Sequence, residues 1–241
     1  MIIKKIKRLI EEQRSSQKQN TRLLEELEWA HIYHDSIRGK PWLYELPLNI
    51  GRWAGNYAFF YVLNRILNDF KPKSILEFGL GESSKFVSKY LEYYLKDAQH
   101  TIIEQNNDWK KAFESTFNLT NRSKIVICPI TTTNIKNFTV NVYEDLELKV
   151  NSNYDLFIVD GPYGSHRFSR YDIVVLAQKF ETNKEFIILL DDYHRKGEKD
   201  TANELLLLFK SKNIKTYSKI YNGRKSLIVI ATEKYKYIAS L

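Results

Sequence analysis

The sequence predicts an α/β protein with a mostly parallel sheet, helices on both faces, a C-terminal antiparallel hairpin and an N-terminal helical arm. Three observations carry this expectation. From Ser74 onward, short apolar runs alternate with helix-length segments, the rhythm of parallel strands joined by crossover helices. Near the end, Asn222-Gly223 separates two strand-like runs, which is a hairpin signal. Ahead of the sheet, apolar residues recur at alternating three and four spacing, the seam of a helix.

The elements follow in order. Ile3, Ile6, Ile10, Gln13, Gln17, Asn20, Leu24, Leu27 and His31 have the a/d rhythm of a coiled coil with a polar middle, which suggests a homo-oligomer built through this helix. The alternative is two short helices, Ile3 to Ile10 and Leu23 to Ile32, packed on their own domain around a polar stretch from Ser15 to Thr21. The basic start, with Lys4, Lys5, Lys7 and Arg8, could also touch a membrane surface peripherally. An aromatic connector follows, and residues 1–49 are read as arm and connector, 50–241 as one domain. Trp53 and Tyr57 are candidates either for stacking on a ligand or for covering the core. A helix is expected from Tyr57 to Phe70, closed by Pro72. Strands are expected at 75–79, 101–103, 124–128, 154–160, 186–191, 216–220 and 226–231.

The most informative stretch is Ser74-Ile-Leu-Glu-Phe-Gly-Leu-Gly-Glu-Ser-Ser84, an apolar strand ending on a carboxylate and running into a glycine turn and a helix. Gly79 and Gly81 permit a tight turn and close approach to a ligand, and Ser83 or Ser84 can cap the helix. Glu77 stands at the carboxyl end of a central strand, where doubly wound sheets bind ligands. A phosphate loop would need Gly-Lys-Ser/Thr, and the dinucleotide fingerprint a third glycine where Ser84 stands. A nucleotide cofactor without pyrophosphate is favoured.

Glu104 ends the second strand 27 residues after Glu77, where a carboxylate could take both ribose hydroxyls. Tyr154 to Pro162 reads as a buried strand ending at Asp160-Gly-Pro, with His166 and the cations Arg167 and Arg170 downstream. Phe186 to Arg195 ends a further strand in Asp191-Asp192-Tyr-His194. Asp160, His166, Asp192 and His194 are candidate general bases. Asp160, Asp191 and Asp192 could together hold a divalent ion through oxygen.

These motifs resemble the class I S-adenosylmethionine (SAM) methyltransferases over about residues 50–232. The resemblance implies a Rossmann-like sheet and SAM as cofactor, held by Glu77, Gly79, Gly81, Ser83, Ser84, Glu104 and Asp160. Leu-Glu-Phe-Gly-Leu-Gly, Glu104 and Val159-Asp-Gly-Pro-x-Gly164 resemble more narrowly the polysaccharide-modifying members, including glucuronoxylan O-methyltransferases and small enzymes of bacterial capsule or O-antigen loci. That likeness implies methyl transfer to an oxygen, a sugar hydroxyl of a cell-surface polysaccharide, through alignment of acceptor, methyl carbon and sulfur and removal of one proton. The divalent site would correspond to that of the metal-dependent catechol O-methyltransferases, with the departure that they carry Asp-Asn where this chain has Asp191-Asp192. Cys128-Pro129-Ile130 stands where many members place a polar residue near adenine, so the adenine contacts are unassigned.

Composition narrows the alternatives. The chain has 241 residues, one cysteine and a formal net charge of +8. One cysteine excludes an internal disulfide, and with no signal-like apolar core or bilayer-length run the expected location is cytoplasmic. The charge would also suit a nucleic-acid or protein methyltransferase, but no nucleic-acid-binding module or Asn/Asp-Pro-Pro-Tyr motif accompanies it. A non-catalytic assembly partner with the same fold is the other alternative, against which the intact glycine turn and Glu104 argue.

Overall fold

The computed structural model describes residues 2–51, 53–151 and 153–241. The first element, α1 (Ile2–Ser36), is one unbroken helix, so the two-helix alternative for the arm is not what forms. The polar stretch at 15–21 contains neither glycine nor proline, and Gln, Lys and Arg are good helix formers, so nothing there ends the helix. After α2 (Pro41–Tyr44), α3 (Tyr57–Arg65) is capped by Asn56, whose side chain accepts from the Phe59 N–H. It runs on as a π-helical turn over Ile66–Phe70 and ends at Lys71 in the left-handed region, just before Pro72.

The sheet strands and crossovers follow as β1 (Ser74–Phe78), α4 (Glu82–Tyr93), β2 (Gln99–Glu104), α5 (Asn107–Glu114) and β3 (Ser123–Ile127). A two-stranded hairpin, β4 (Ile130–Ile135) and β5 (Phe138–Tyr143), then leaves the sheet. It was not expected, although its two-residue turn, Lys136-Asn137 with both residues at positive φ, joins two β-branched-rich runs. The chain returns through α6 (Leu146–Lys149), β6 (Leu156–Val159), α7 (Asp172–Ala177), β7 (Ile187–Leu190), α8 (Lys196–Ser211), β8 (Thr216–Asn222) and β9 (Ser226–Thr232). A 3₁₀ segment, Glu233–Ser240, closes it.

The seven-stranded sheet has the order β3-β2-β1-β6-β7-β9-β8. Pairing is parallel from β3 to β7, and β9 is antiparallel to both β7 and β8, as the Asn222-Gly223 signal requires. Both faces are covered, so β6 and β7 read as continuous apolar runs and β1 as one interrupted by Glu77, with alternate apolar residues entering different cores. Ile75, Leu156, Ile158, Ile187 and Leu189 face one core, completed by α3, α4 and the end of the arm through Tyr33, Ile37, Leu43 and Leu46. Leu76, Phe78, Phe157, Val159, Ile188 and Leu190 face the other, under α7, α8 and the hairpin residues Val140 and Tyr143. Tyr57 belongs to the first core, beside Tyr33.

One carboxylate ties the arm to the domain. Glu26 accepts from Asn56 Nδ2 at 2.6 Å, the Tyr57 N–H at 2.8 Å and the Arg224 N–H at 2.9 Å, while Trp29 Nε1 donates to the Asn222 carbonyl. The β8–β9 turn and the loop before α3 are thereby held together. Among the described residues no helix is long and apolar enough to cross a membrane.

Candidate active site

The parallel strands β1, β2 and β6 end on the same side, and there a cavity of about 670 Å³ opens. It is lined by the turn from Gly79 to Ser83, by Glu104 to Asn106 and Trp109, by Asp160 to Gly164, and by Arg170, Asp192, Arg195 and Lys225. Asn49, Ile50, Gly51 and Trp53 to Gly55 supply its remaining wall. This is where a doubly wound sheet presents its loops to a ligand.

The glycine turn is shaped by its own backbone. Gly79 has φ +98, a conformation other residues rarely adopt, and its N–H donates to the Ile103 carbonyl. Gly81 is extended and has open space where a side chain would begin. Ser84 is buried beneath the turn, its Oγ accepting the Gly81 N–H at 3.1 Å, and does not line the cavity. Ser83 lines it but donates its hydroxyl backward to Glu77.

Glu77 departs from the expected cofactor contact. Its side chain is fully buried, one oxygen taken by Ser83 and the other 2.9 Å from His100 Nε2, and it is not among the lining residues. A carboxylate at a strand end can turn into the sheet as well as out of it. Here His100, whose Nδ1 lies 3.2 Å from Ser123 Oγ, provides the inward partner. Glu77 therefore positions the turn from behind.

Glu104 does face the cavity, and it also organises it. Its Oε2 accepts the Leu80 N–H at 3.0 Å and its Oε1 the Asn106 N–H at 2.7 Å. Burial raises its pKa, opposed by the N–H groups of Asn106, Leu80 and Gln105. Each oxygen keeps a lone pair for a ligand hydroxyl. Trp109 was not anticipated: it leaves α5, donates Nε1 to the Leu80 carbonyl at 2.8 Å and presents a half-exposed ring to the cavity beside Asn106. Cys128 is buried, its thiol donating to the Glu144 carbonyl at 2.9 Å, and does not line the cavity, whose wall beyond Glu104 is built by Gln105, Asn106 and Trp109.

Beneath the other half lies an acidic cluster around one buried cation. Arg170, at φ +60, places Nη2 2.8 Å from both Asp160 Oδ1 and Asp192 Oδ2, and its Nε 3.7 Å from Glu198 Oε1. Its Nη1 donates to the carbonyls of Val159 and Asp191. The guanidinium thus cross-links the ends of β6 and β7. Lys225 Nζ stands 3.7 Å from Asp192 Oδ1 and donates to the Ala54 carbonyl, while Arg195 Nη1 lies 3.0 Å from Asp192 Oδ2.

This cluster separates the carboxylates by role. Burial pushes the Asp160 pKa up to about 7, with Arg170 opposing and Asp191 and Asp192 reinforcing the rise. Asp191 rises to about 6 through burial and its Asp192 neighbour. For Asp192 burial is outweighed by Arg170, Lys225 and Arg195, and its pKa falls below the usual range. Asp160 is the carboxyl in the cavity that can hold or release a proton near neutrality, and Asp192 stays an anion. Neither histidine lines the cavity: His166 is exposed, and His194 is half-buried with a lowered pKa, chiefly from burial, which the nearby Asp192 charge opposes.

The three aspartates do converge as the divalent reading requires, each offering an oxygen within 4.8 Å of the others. Hard carboxylate oxygens would suit such an ion. Arg170 Nη2, however, already occupies the position between Asp160 and Asp192 that an ion would bridge. The guanidinium is the cation shared by Asp160 and Asp192, while both carboxylate oxygens of buried Asp191 have no hydrogen-bond partner among the described residues.

Gly161 explains why the Asp160 turn needs glycine. A Cβ there would meet the Tyr143 hydroxyl and approach the Gly79 nitrogen to 3.0 Å, so the turns after β1 and β6 pack backbone to backbone. The unforeseen hairpin supports the same loop, since the Asn141 N–H donates to Ser165 Oγ and Asn141 Nδ2 to the Tyr163 carbonyl.

No family model matches the chain, and no curated protein matches it. Among solved structures it is similar to the O-methyltransferase TomG of Streptomyces achromogenes in complex with SAM. That likeness has a TM-score of 0.53 and 11% identity, covering 89% of this chain and 98% of that one. The O-methyltransferase of Bacillus cereus in complex with S-adenosylhomocysteine (SAH) aligns at a TM-score of 0.48 and 10% identity, over 89% and 100% of the two chains. The SAH-bound methyltransferase PaMTH1 of Podospora anserina aligns at 0.43 and 13%, over 85% and 87%. With the sheet order above, the TomG likeness makes this a mixed α/β, Rossmann-like methyltransferase fold carrying an additional helical arm.

Proposed function

We propose that the protein is a SAM-dependent O-methyltransferase whose acceptor is a sugar hydroxyl of a cell-surface polysaccharide. The observation that carries this reading is the single cavity in which the glycine turn, Glu104 and Asp160 meet at the strand ends. In it Glu104 takes the ribose hydroxyls with its spare lone pairs, Trp109 and Asn106 border the adenine, and the Gly79–Ser83 backbone borders the methionine moiety. SAM, the molecule bound to the similar TomG structure, agrees with that assignment.

SAM supplies an activated methyl group through its sulfonium, so the chain's own work is alignment, water exclusion and removal of one proton. Asp160 takes the acceptor proton, because its pKa near 7 matches that task at neutral pH. Asp192, held ionised by three cations, offsets the sulfonium charge and orients the acceptor. Arg170 fixes both carboxylates. The mouth suits a glycan: Trp53 (97% exposed) and Tyr163 (65% exposed) offer aromatic faces at its rim.

The test is formation of SAH and a methylated product when the protein meets SAM and a panel of hydroxylated acceptors. Hexoses, uronic acids, catechols and unmodified tRNA span the relevant classes. Turnover on the sugars alone is expected, whereas turnover confined to tRNA or catechol would contradict the glycan assignment.

A further inference from the structure

The arm carries a second apolar face that its own domain does not use. Residues 4–21 are all exposed, so at 1.5 Å per residue about 27 Å of helix stands clear of the domain. An unsupported helix of that kind is marginal in water, because most helical stability comes from packing an amphipathic face. Ile6, Leu9, Ile10, Leu24 and Leu27 are 44–66% exposed. At about 100° per residue they share an arc of about 100° with Gln13, Gln17 and Asn20, opposite the side on which Trp29 and Tyr33 dock. The outer stripe is continuous from the first turns to the point where the domain begins.

Charge decides what covers it. Lys4, Lys5, Lys7 and Arg8 crowd the first turns, the unfavourable sign for a helix N-terminus, and no acidic residue stands in the first turn, although Arg8 pairs with Glu12 one turn on at 2.7 Å. Glu25 and Glu28 lie at the other end of the stripe, beside Leu24 and Leu27. The helix is therefore basic at one end and acidic at the other, with a polar centre. A copy of itself laid antiparallel brings Lys5 and Lys7 of each chain towards Glu25 and Glu28 of the other, with amide against amide in the middle, whereas a parallel copy would set the Lys5 and Lys7 pairs side by side.

We propose that two copies of this chain pair through the outer stripes of α1 in antiparallel orientation, forming a homodimer independent of the methyl-transfer site. Sedimentation of the full chain at tens of micromolar should give twice the chain mass of 28.6 kDa. The double variant Ile10→Lys/Leu24→Lys should sediment as a monomer with an unchanged Tm of the domain, since neither side chain enters the core, and should lose helical circular dichroism only from the part of the arm that stands clear. A spin label at Lys7→Cys reports orientation, because Cys128 is buried. The antiparallel pair places two labels roughly 30 Å apart along the helices, and a parallel pair places them within about 20 Å. A monomeric wild type, a short label distance, or a monomer that instead binds phosphatidylglycerol vesicles would each overturn the proposal.

Discussion

Replacing Arg170 with methionine is expected to cost about 3–5 kcal/mol of stability at pH 8, the loss typical when one partner is removed from a buried ion pair. Methionine approximates the volume and removes the charge that Asp160, Asp192 and Glu198 all face. The loss should depend on pH with a definite sign. The carboxyls of Asp160 and Asp191 already titrate high, at about 7 and about 6, and a carboxyl raised in the folded state penalises folding increasingly as pH climbs from its unfolded pKa to its folded one, with the full penalty present above the latter. Without Arg170 both rise further, so the variant recovers stability as pH falls from 8 towards 5.5 and the two groups take up protons. Urea unfolding at the two pH values measures this. A loss of equal size at both would mean that Arg170 contributes packing alone.

Asp160→Asn should lower kcat by about 10²–10⁴-fold, the usual contribution of a positioned general base, while SAM affinity changes little. In the wild type, kcat should rise with pH through about 7 as Asp160 loses its proton, and the asparagine variant should lose that limb. Asp192→Asn should behave differently. Asp192 is ionised throughout the range and its charge helps raise Asp160, so its loss lowers kcat and moves the limb to lower pH without abolishing it. A limb that persists in Asp160→Asn would transfer the base role elsewhere. His194 is a poor heir, being half-buried and outside the cavity lining.

Much of the scaffold was legible because it depends on local signals. The apolar runs, Pro72 and the Asn222-Gly223 turn each act over a few residues, and the strands they predicted form within a few positions of expectation. The direction in which a strand-end carboxylate turns does not depend on its neighbours in sequence. Glu77 and Glu104 look alike in the chain, yet Glu77 is drawn inward by His100 from the adjacent strand, a partner 23 residues away. Arg170 was visible only as one of two loop cations, since nothing local marks a side chain that folds back under β6 and β7 to reach four oxygens. Trp109 and the β4–β5 hairpin did leave traces. A tryptophan in the first turn of the helix after Glu104, and a Lys-Asn turn between β-branched runs, are both readable once the second strand is placed.

The metal reading shows the same division. Carboxylates at the ends of β6 and β7 are predictable from sequence, and they do converge. Two of them, Asp160 and Asp192, meet on a long-range side chain, the Arg170 guanidinium, whereas both carboxylate oxygens of Asp191 have no hydrogen-bond partner among the described residues.

Calorimetric titration with SAM, on the wild type and on Gly81→Val, tests the central claim most directly. Gly81 is extended with open space at its Cβ, so valine projects into the cavity without disturbing the fold. Saturable one-to-one binding to the wild type is expected, weakened at least about tenfold, or about 1.4 kcal/mol, by the valine. No heat at high micromolar SAM with folded wild-type protein, or an unchanged affinity in Gly81→Val, would contradict a SAM site at the ends of these strands.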